Sequence, residues 1–492
     1  MTLLSVGKNA ARPVVPAGLP PLSGLEAQSA PDTARRGRTA VVPRNPPPSA
    51  AEGDLIPYGG VINVPRSRIP IGPARRRNRL RLGWLHRWRP MGGFGFMVVR
   101  DRSGMAQVIV DSPAALDGVF AESVVSVEGV VVAEPKAPGG VEIHNAQVTV
   151  VSPAVEPPPF DLFRPQINAQ LPTLLDHAAL SLRHPRQRAL FELSAASMEG
   201  FRSTLRGFGF TEIQTPKIVA SATEGGANVF KIDYFGRPAY LAQSPQFYKQ
   251  TMVGVFERVF EVSPVFRAEP HDTPRHLNEY VSCDVEFGFI DSHRDVMQML
   301  TEVIRGMTAT LRAKAASALN LWGIVIPRIP PEIPVIHFTE ALEMIYRETG
   351  EDCRAEPDLA PNHERWLGEW ALREYESDFV FVEGYPLAKR PFYTHPDPAR
   401  PTYSASFDLL FRGLELVTGG QRLHLYADYL AAMAARGMPT GPFEGYLEAF
   451  KYGMPPHGGF AIGLERWVSR LAELPNVREA TLFPRDMSRL TP

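Results

Sequence analysis

Arg267 and Arg275 stand on either side of a short polar loop, Pro270-His271-Asp272-Thr273-Pro274, inside the stretch FERVFEVSPVFRAEPHDTPRHLNEYVSCDVEFGFI at residues 256–290. Two guanidinium groups, with His276 at the loop exit, suit a polyphosphate, because guanidinium stays charged and grips phosphate oxygens in a fixed fork. Glu269, Glu279, Asp284 and Glu286 would repel phosphate, so they imply a second task in the same place, such as holding an amino group or Mg2+. The flanks, 259–262 and 281–289, are rich in β-branched and aromatic residues and predict two strands joined by the loop. On spacing alone, a polar hairpin carrying surface ion pairs accounts for the pattern equally well.

A chain of 492 residues can hold two or three domains around this stretch. Net charge is −1, but residues 1–80 carry 12 Lys+Arg against 4 Asp+Glu, leaving 40 against 49 in the remainder. Net charge therefore announces no nucleic-acid partner, and any basic surface must be local. Cys283 and Cys353 match no metal-ligand spacing, which fits a reducing, cytoplasmic setting without a disulfide framework. No apolar run approaches the roughly 18 residues of a membrane span.

Residues 1–75 are Pro- and Arg-rich with no sustained apolar period, and predict a disordered extension. The basic cluster Arg75-Arg76-Arg77-Asn78-Arg79 could touch RNA phosphates, or be a solvated linker. Residues 76–152 alternate short apolar runs at 80–88, 95–101, 105–110, 124–133 and 141–151 with turn signals, predicting a small five-stranded barrel of the oligonucleotide-binding type. Proline-rich 153–184 reads as a hinge. Helices are expected at 185–207, 296–315, 364–376 and 464–474, within a region 185–492 that carries a helical insertion at about 291–400.

The segment FRAEPHDTPRHLNEY resembles motif 2 of the class II aminoacyl-tRNA synthetases, in the version found in aspartyl-tRNA synthetases of the archaeal and eukaryotic type. GFTEIQTPK, through Pro216, resembles motif 1, and YGMPPHGGFAIGLERW resembles motif 3; the order along the chain is right, and the likeness runs from about Gly83 to Pro492. The resemblance implies an α+β fold: an anticodon-binding β-barrel plus a catalytic domain with an antiparallel sheet flanked by helices. It implies ATP and Mg2+, L-aspartate and tRNA(Asp) as partners, a homodimer built through motif 1, and cytoplasmic protein synthesis.

By resemblance, Arg267 holds the α-phosphate and the amino-acid carboxylate, Arg275 and His276 the outer phosphates, Tyr280 the adenine, and Arg466 the γ-phosphate; Glu269 belongs to the same ATP set. Asp408 and Glu415, seven apart in SFDLLFRGLELVTGGQRLH, become metal ligands. Glu224 of the TEGG loop, with mobile Gly225 and Gly226, and Asp284 meet the substrate ammonium, while Gln246 of AYLAQSPQFYKQ matches the amino-acid pocket. Lys249 and Arg422 clamp the aspartate side chain, and if buried beside apolar groups both need that carboxylate to be satisfied. In the barrel, Phe96 stacks on an anticodon base while Arg89, Gln107 and Glu122 contact base edges or backbone. His86 and Pro138 match relatives that also charge tRNA(Asn), which implies relaxed tRNA specificity and a functional link to a tRNA-dependent amidotransferase. A strictly tRNA(Asp)-specific enzyme and a tRNA-independent, amide-forming ligase of the same fold are the alternatives.

Overall fold

The structure is a computed structural model that describes residues 78–220 and 228–491. Glu224, Gly225 and Gly226 of the expected closing loop, the extension 1–75 and the 75–77 part of the basic cluster lie outside the described residues.

Strands β1 (Asn78–Met91), β2 (Phe94–Arg100), β3 (Met105–Val110), β4 (Val124–Ala133) and β5 (Val141–Ser152) close into a barrel in the order β1-β2-β3-β5-β4. Period-2 alternation sorts their side chains: in β3, Ala106, Val108 and Val110 are buried while Met105, Gln107 and Ile109 point outward. Leu85, Met97, Val99, Val125, Val127 and Ile143 complete the small core. One irregularity matters later. The β1–β2 register slips between Leu85 and Arg87, and at this bulge the successive residues Leu85 and His86 are both buried.

Two short helices, α1 (Leu171–Asp176) and α2 (Ala178–Ser181), occupy the end of the proline-rich connection. Helix α3 (Pro185–Gly207) starts at a proline, where a missing N–H costs nothing, and buries Leu190, Leu193, Phe201 and Leu205 along one face. After β6 (Thr211–Glu212), strands β7 (Ile218–Val219), β8 (Lys231–Tyr234) and β9 (Arg237–Leu241) make a small sheet in the order β7-β9-β8. Helix α4 (Gln246–Phe256) leads into the antiparallel pair β10 (Arg258–Phe266) and β11 (Glu279–Gly288), which carries the loop first singled out in the sequence. A capping box of Ser292 and Asp295 opens α5 (His293–Lys314), and α6 (Ala316–Trp322) follows. The remaining elements are β12 (Val335–His337), α7 (Phe338–Thr349), α8 (Pro361–Tyr375), β13 (Phe379–Glu383), β14 (Ser406–Phe411), β15 (Glu415–Gln421), α9 (Tyr426–Ala435), α10 (Glu444–Lys451), β16 (His457–Gly463) and α11 (Leu464–Leu471).

Eight strands form the central sheet in the order β12-β13-β14-β15-β16-β11-β10-β6. Its inner pairings are antiparallel, and the two edge pairs, β12 with β13 and β10 with β6, are parallel, so the sheet is mixed. Helices α3, α5 and α11 bury one face against Phe260, Phe407 and Phe460. Helices α7 and α8 cover the other side of the β13–β14 end, over Val380, Val382 and Leu410. The stretch 291–400 is therefore not an appended helical insertion: α5 belongs to the main core, and β12 and β13 complete the sheet.

Candidate functional site

Strand β11 organises the site by alternation. Cys283, Val285 and Phe287 face the core under α3 and α5, so Tyr280, Ser282, Asp284 and Glu286 share the opposite face. Tyr280, Ser282 and Asp284 floor a cleft of about 330 Å3, with Glu286 buried beyond them; it is lined also by Gln246 and Lys249 of α4, Arg267, Glu269, Arg275 and His276 of the β10–β11 loop, Glu415 and Thr418 of β15, Arg422 beyond it, and Arg466 at the start of α11. Residues more than 200 positions apart thus meet in one concave surface.

The deep end is a buried quartet of charges. Lys249 Nζ lies 2.9 Å from Asp284 Oδ1 and 3.3 Å from Glu286 Oε2, and Arg422 Nε lies 2.9 Å from Glu286 Oε1. None of the four side chains is more than 8% exposed. Ser282 Oγ donates to Asp284 Oδ2 at 2.5 Å, and Arg422 Nη2 donates to the Gly459 carbonyl at 3.0 Å. Burial alone would raise the pKa of Glu286, but the Arg422 and Lys249 charges override it and hold the carboxyl below its ordinary range. Lys249 and Arg422 are buried beside Asp284 and Glu286, not among apolar groups alone, so two protein carboxylates balance the two cations. Gly459 belongs to the same packing. A Cβ there would stand 2.1 Å from the Val285 carbonyl oxygen and 2.3 Å from Glu286 Oε2, so this glycine makes room for Glu286.

Beneath the quartet, Gln250 Nε2 donates to the Tyr429 hydroxyl at 3.1 Å and lies 3.0 Å from His457 Nε2, while the Tyr446 hydroxyl donates to Gln250 Oε1 at 3.0 Å. Gln246 Nε2 donates to Gln250 Oε1 at 3.0 Å, so the predicted pocket residue is aimed by this layer. Burial lowers His457 to about 4, which keeps it neutral beside the quartet.

The outer end is built from longer, looser contacts. Glu269 lies between Arg267 Nη1 at 3.7 Å and His276 Nε2 at 3.6 Å, and Thr273 Oγ1 is 2.6 Å from His276 Nδ1. Burial keeps His276 below its ordinary pKa. The Arg267 guanidinium is 5.8 Å from the centre of the Tyr280 ring. Glu415 is gripped through its backbone from two sides: its N–H donates to Glu364 Oε2 at 3.0 Å, and its carbonyl accepts from Arg466 Nη1 at 3.1 Å. Asp408 lies behind it, 2.9 Å from Arg390 Nη2, and burial together with the Glu415 charge lifts its pKa to about 6 against the opposing pull of Arg390. Glu364, Arg390, Gln250 and His457 join the site without any signal in the sequence; Glu286 is among the acids the sequence places beside the phosphate loop, but with no assigned partner.

On the barrel, Arg89 is the register partner of Phe96, and Phe96 of Ile109, so Arg89, Phe96 and Gln107 share one outer face. Gln107 Nε2 donates to Glu142 Oε1 at 2.6 Å, and His144 Nε2 is 3.1 Å from Glu142 Oε2. Glu122 does not join that face, a second correction. It is 7% exposed, with Arg100 forking onto both oxygens at 3.0 and 2.8 Å and Arg183 Nη1 at 3.2 Å. Its carboxylate has no free edge for a base. His86 is buried beside it, 2.9 Å from Arg100 Nη1, and burial followed by the Arg100 charge lowers it to about 4. Pro138 is exposed and opens the turn Pro138–Gly140 between β4 and β5.

The family model described as tRNA synthetases class II (D, K and N) matches residues 170–487, and one described as an OB-fold nucleic acid binding domain matches residues 81–151. The chain is 47% identical over 411 residues to the aspartate--tRNA(Asp/Asn) ligase of Thermus thermophilus, covering 84% of this chain and 96% of that protein. It is 45% identical over 419 residues to the protein of the same name from Aeropyrum pernix, covering 83% and 94%. Among solved structures, asparaginyl-tRNA synthetase from Pyrococcus horikoshii complexed with asparaginyl-adenylate superposes with a TM-score of 0.76 at 30% identity, covering 85% of this chain and 96% of that one.

Proposed function

Since the chain belongs to the class II tRNA synthetases of the D, K and N group, we infer that it attaches L-aspartate to tRNA(Asp) and tRNA(Asn), using ATP and passing through an aspartyl-adenylate. The observation that carries the choice of amino acid is the buried Lys249 and Arg422 pair at the closed end of a cleft whose open end holds Arg267, Arg275 and Arg466. A neutral amide side chain needs no cation there; although Asp284 and Glu286 balance the charge, a substrate carboxylate gains charge-assisted bonds from ammonium and guanidinium N–H groups beyond those the protein carboxylates use.

In this reading Tyr280 holds adenine, Arg466 flanks it and reaches the γ-phosphate, Arg275 and His276 take the outer phosphates, and Arg267 bridges the α-phosphate and the amino-acid α-carboxylate. Asp284, with Glu224, takes the ammonium group, and Gln246 orients the substrate. The aspartate carboxylate attacks the α-phosphorus in line, pyrophosphate leaves, and the terminal ribose hydroxyl of tRNA then displaces AMP. Arg267 meets the negative charge that develops at the α-phosphate, and most of the rate comes from alignment of the two substrates. Glu415 lines the phosphate end and Asp408 lies behind it within electrostatic reach, two carboxylates that would suit Mg2+ completed by phosphate oxygens. Bound there, the ion would neutralise phosphate charge; Asp408 would exchange its Arg390 partner for it.

Arg89, Phe96 and Gln107 would read the anticodon, joined by Glu142 in place of Glu122. His86 lies under the reading face, so its influence on tRNA choice would pass through Arg100 and Glu122. We further propose a homodimer through the motif 1 region, action in the cytoplasm, and an amidotransferase that converts Asp-tRNA(Asn) into Asn-tRNA(Asn). No helix among the described residues is long and apolar enough to cross a membrane.

The test is aspartylation of tRNA(Asp) and tRNA(Asn) transcripts by the wild type and by His86→Trp/Pro138→Lys. Comparable charging of both by the wild type, narrowed in the variant, supports the dual reading. Charging of tRNA(Asp) alone leaves a discriminating enzyme, and charging of neither brings the amide-forming ligase forward.

A further inference from the structure

The loop that carries Arg275 and His276 is held from behind by the last part of the chain. Arg478 is 8% exposed and reaches two segments at once: Nη2 donates to Asp272 Oδ1 at 2.5 Å, and Nε donates to Asp486 Oδ2 at 2.6 Å. Its Nη1 also lies 3.3 Å from the Thr273 carbonyl oxygen. Backbone bonds run in parallel with the side-chain bridge. The Val477 N–H donates to the Pro274 carbonyl at 2.9 Å, and the Asn278 N–H donates to the Arg485 carbonyl at 2.8 Å. On the cleft side, Asn278 Nδ2 donates to the Arg267 carbonyl at 2.6 Å, tying the two ends of the loop together.

The anchor is itself fixed. Asp486 Oδ1 accepts from the Ser488 and Arg489 N–H groups at 2.8 Å each, and Arg489 pairs with Asp176 of α1 at 2.7 Å. Asp272, by contrast, is exposed and sits on a loop with no regular structure of its own. A guanidinium is suited to such a bridge because its planar fork presents separate N–H edges to two carboxylates; an ammonium offers one point charge.

We propose that Arg478 is a positioning residue for nucleotide binding, clamping the Asp272–Thr273–Pro274 arch to the C-terminal segment so that Arg275 and His276 face the cleft. The proposal rests on the reading of this loop as the ATP loop. Arg478 touches no substrate in it. Its effect is on how much of the time two phosphate-binding side chains stand in place, so the cost appears in ATP binding and leaves the aspartate end, built on α4 and β11, unaffected.

The experiment compares wild type, Arg478→Met, Arg478→Lys and Asp272→Asn by aspartate-dependent ATP–pyrophosphate exchange and by amide hydrogen exchange of residues 268–278 without ligand. Arg478→Met is expected to raise KM for ATP about tenfold, with KM for aspartate within about twofold, and to speed hydrogen exchange in the loop. Arg478→Lys, able to hold one carboxylate but not both, is expected to fall between. Asp272→Asn, altering an exposed residue, keeps the comparison open if Arg478→Met does not fold, and is expected to raise KM for ATP about threefold. Unchanged KM for ATP with unchanged loop exchange overturns the proposal, as does an equal rise in both KM values. If the wild type shows no aspartate-dependent exchange, the synthetase reading fails, and loop hydrogen exchange still judges the clamp.

Discussion

Replacing Lys249 by Met removes one of two cations from the buried quartet, leaving Glu286 with Arg422 and Asp284 without its cation. The four side chains carry two positive and two negative charges at separations of 2.9 to 3.3 Å, so the substitution converts a balanced buried cluster into one with a net negative charge. Breaking such a pair by deleting one partner costs about 3–5 kcal/mol, a large share of the roughly 5–15 kcal/mol that holds a domain folded. The expected readout is a melting temperature lower by roughly 6–10 °C. The same change removes a charged donor from the aspartate side chain, which predicts a rise of about 30- to 1,000-fold in KM for aspartate in ATP–pyrophosphate exchange. The two effects separate in Lys249→Met/Asp284→Asn, where Arg422 again faces Glu286 as one cation against one anion. That variant is expected to recover stability to within about 1 kcal/mol of wild type while aspartate recognition stays lost. A single variant as stable as the wild type, or a double variant no more stable than the single, would refute the argument from charge balance; an unchanged KM would refute the assignment of Lys249.

Three further outcomes follow from the geometry. Gly459→Ala should destabilise the protein by about 1–3 kcal/mol in denaturant titration and impair aspartate activation, because its Cβ falls 2.3 Å from Glu286 Oε2. Glu465, 6% exposed, accepts the Val281 N–H and is pushed by burial up to about 7, so between about pH 4.5 and 7 the folded protein keeps a proton that the unfolded chain has released. Stability should therefore fall by about 3 kcal/mol as pH rises through that window, and Glu465→Gln should flatten the slope seen in urea unfolding at a series of pH values. Arg100→Met strands Glu122 with Arg183 as its remaining cation and should cost about 3–5 kcal/mol, raising KM for tRNA in aspartylation while ATP–pyrophosphate exchange keeps its wild-type KM values.

The parts legible in the sequence were those with strong local signals. Turn residues and alternation marked all five barrel strands, and Pro185 with the terminal Gly207 bounded α3. The β12–β13 edge went unread because Phe379 to Val382 are buried on both faces; a continuous apolar run has no period to betray a strand. Glu122 was misplaced for a different reason. Its backbone sits at φ +70°, turning the carboxylate into the barrel base toward Arg100 and Arg183, which come from positions 22 before and 61 after it. Likewise only the register slip in β1 puts His86 inside, and no residue type announces a slip. Lys249, Arg422, Asp284 and Glu286 are all candidates in the sequence, but which cation pairs with which carboxylate is not legible locally, since pairing across β11 is a tertiary fact.

Strand β11 also acts as a gauge of length. From Tyr280 to Asp284 the backbone advances four residues, about 13 Å at an extended rise, with one cleft-facing side chain every second step, and Glu286 follows on the same face, buried at the end. A ligand that spans the floor is thereby measured against a rigid rule whose spacing cannot be tuned gradually, because inserting or deleting one residue would send Tyr280 and Glu286 to opposite faces. Divergence in such a site is confined to exchanging side chains at fixed marks. A change of amino-acid preference would be written at the Asp284 and Glu286 marks and their α4 neighbours, while the Tyr280 mark stays as it is.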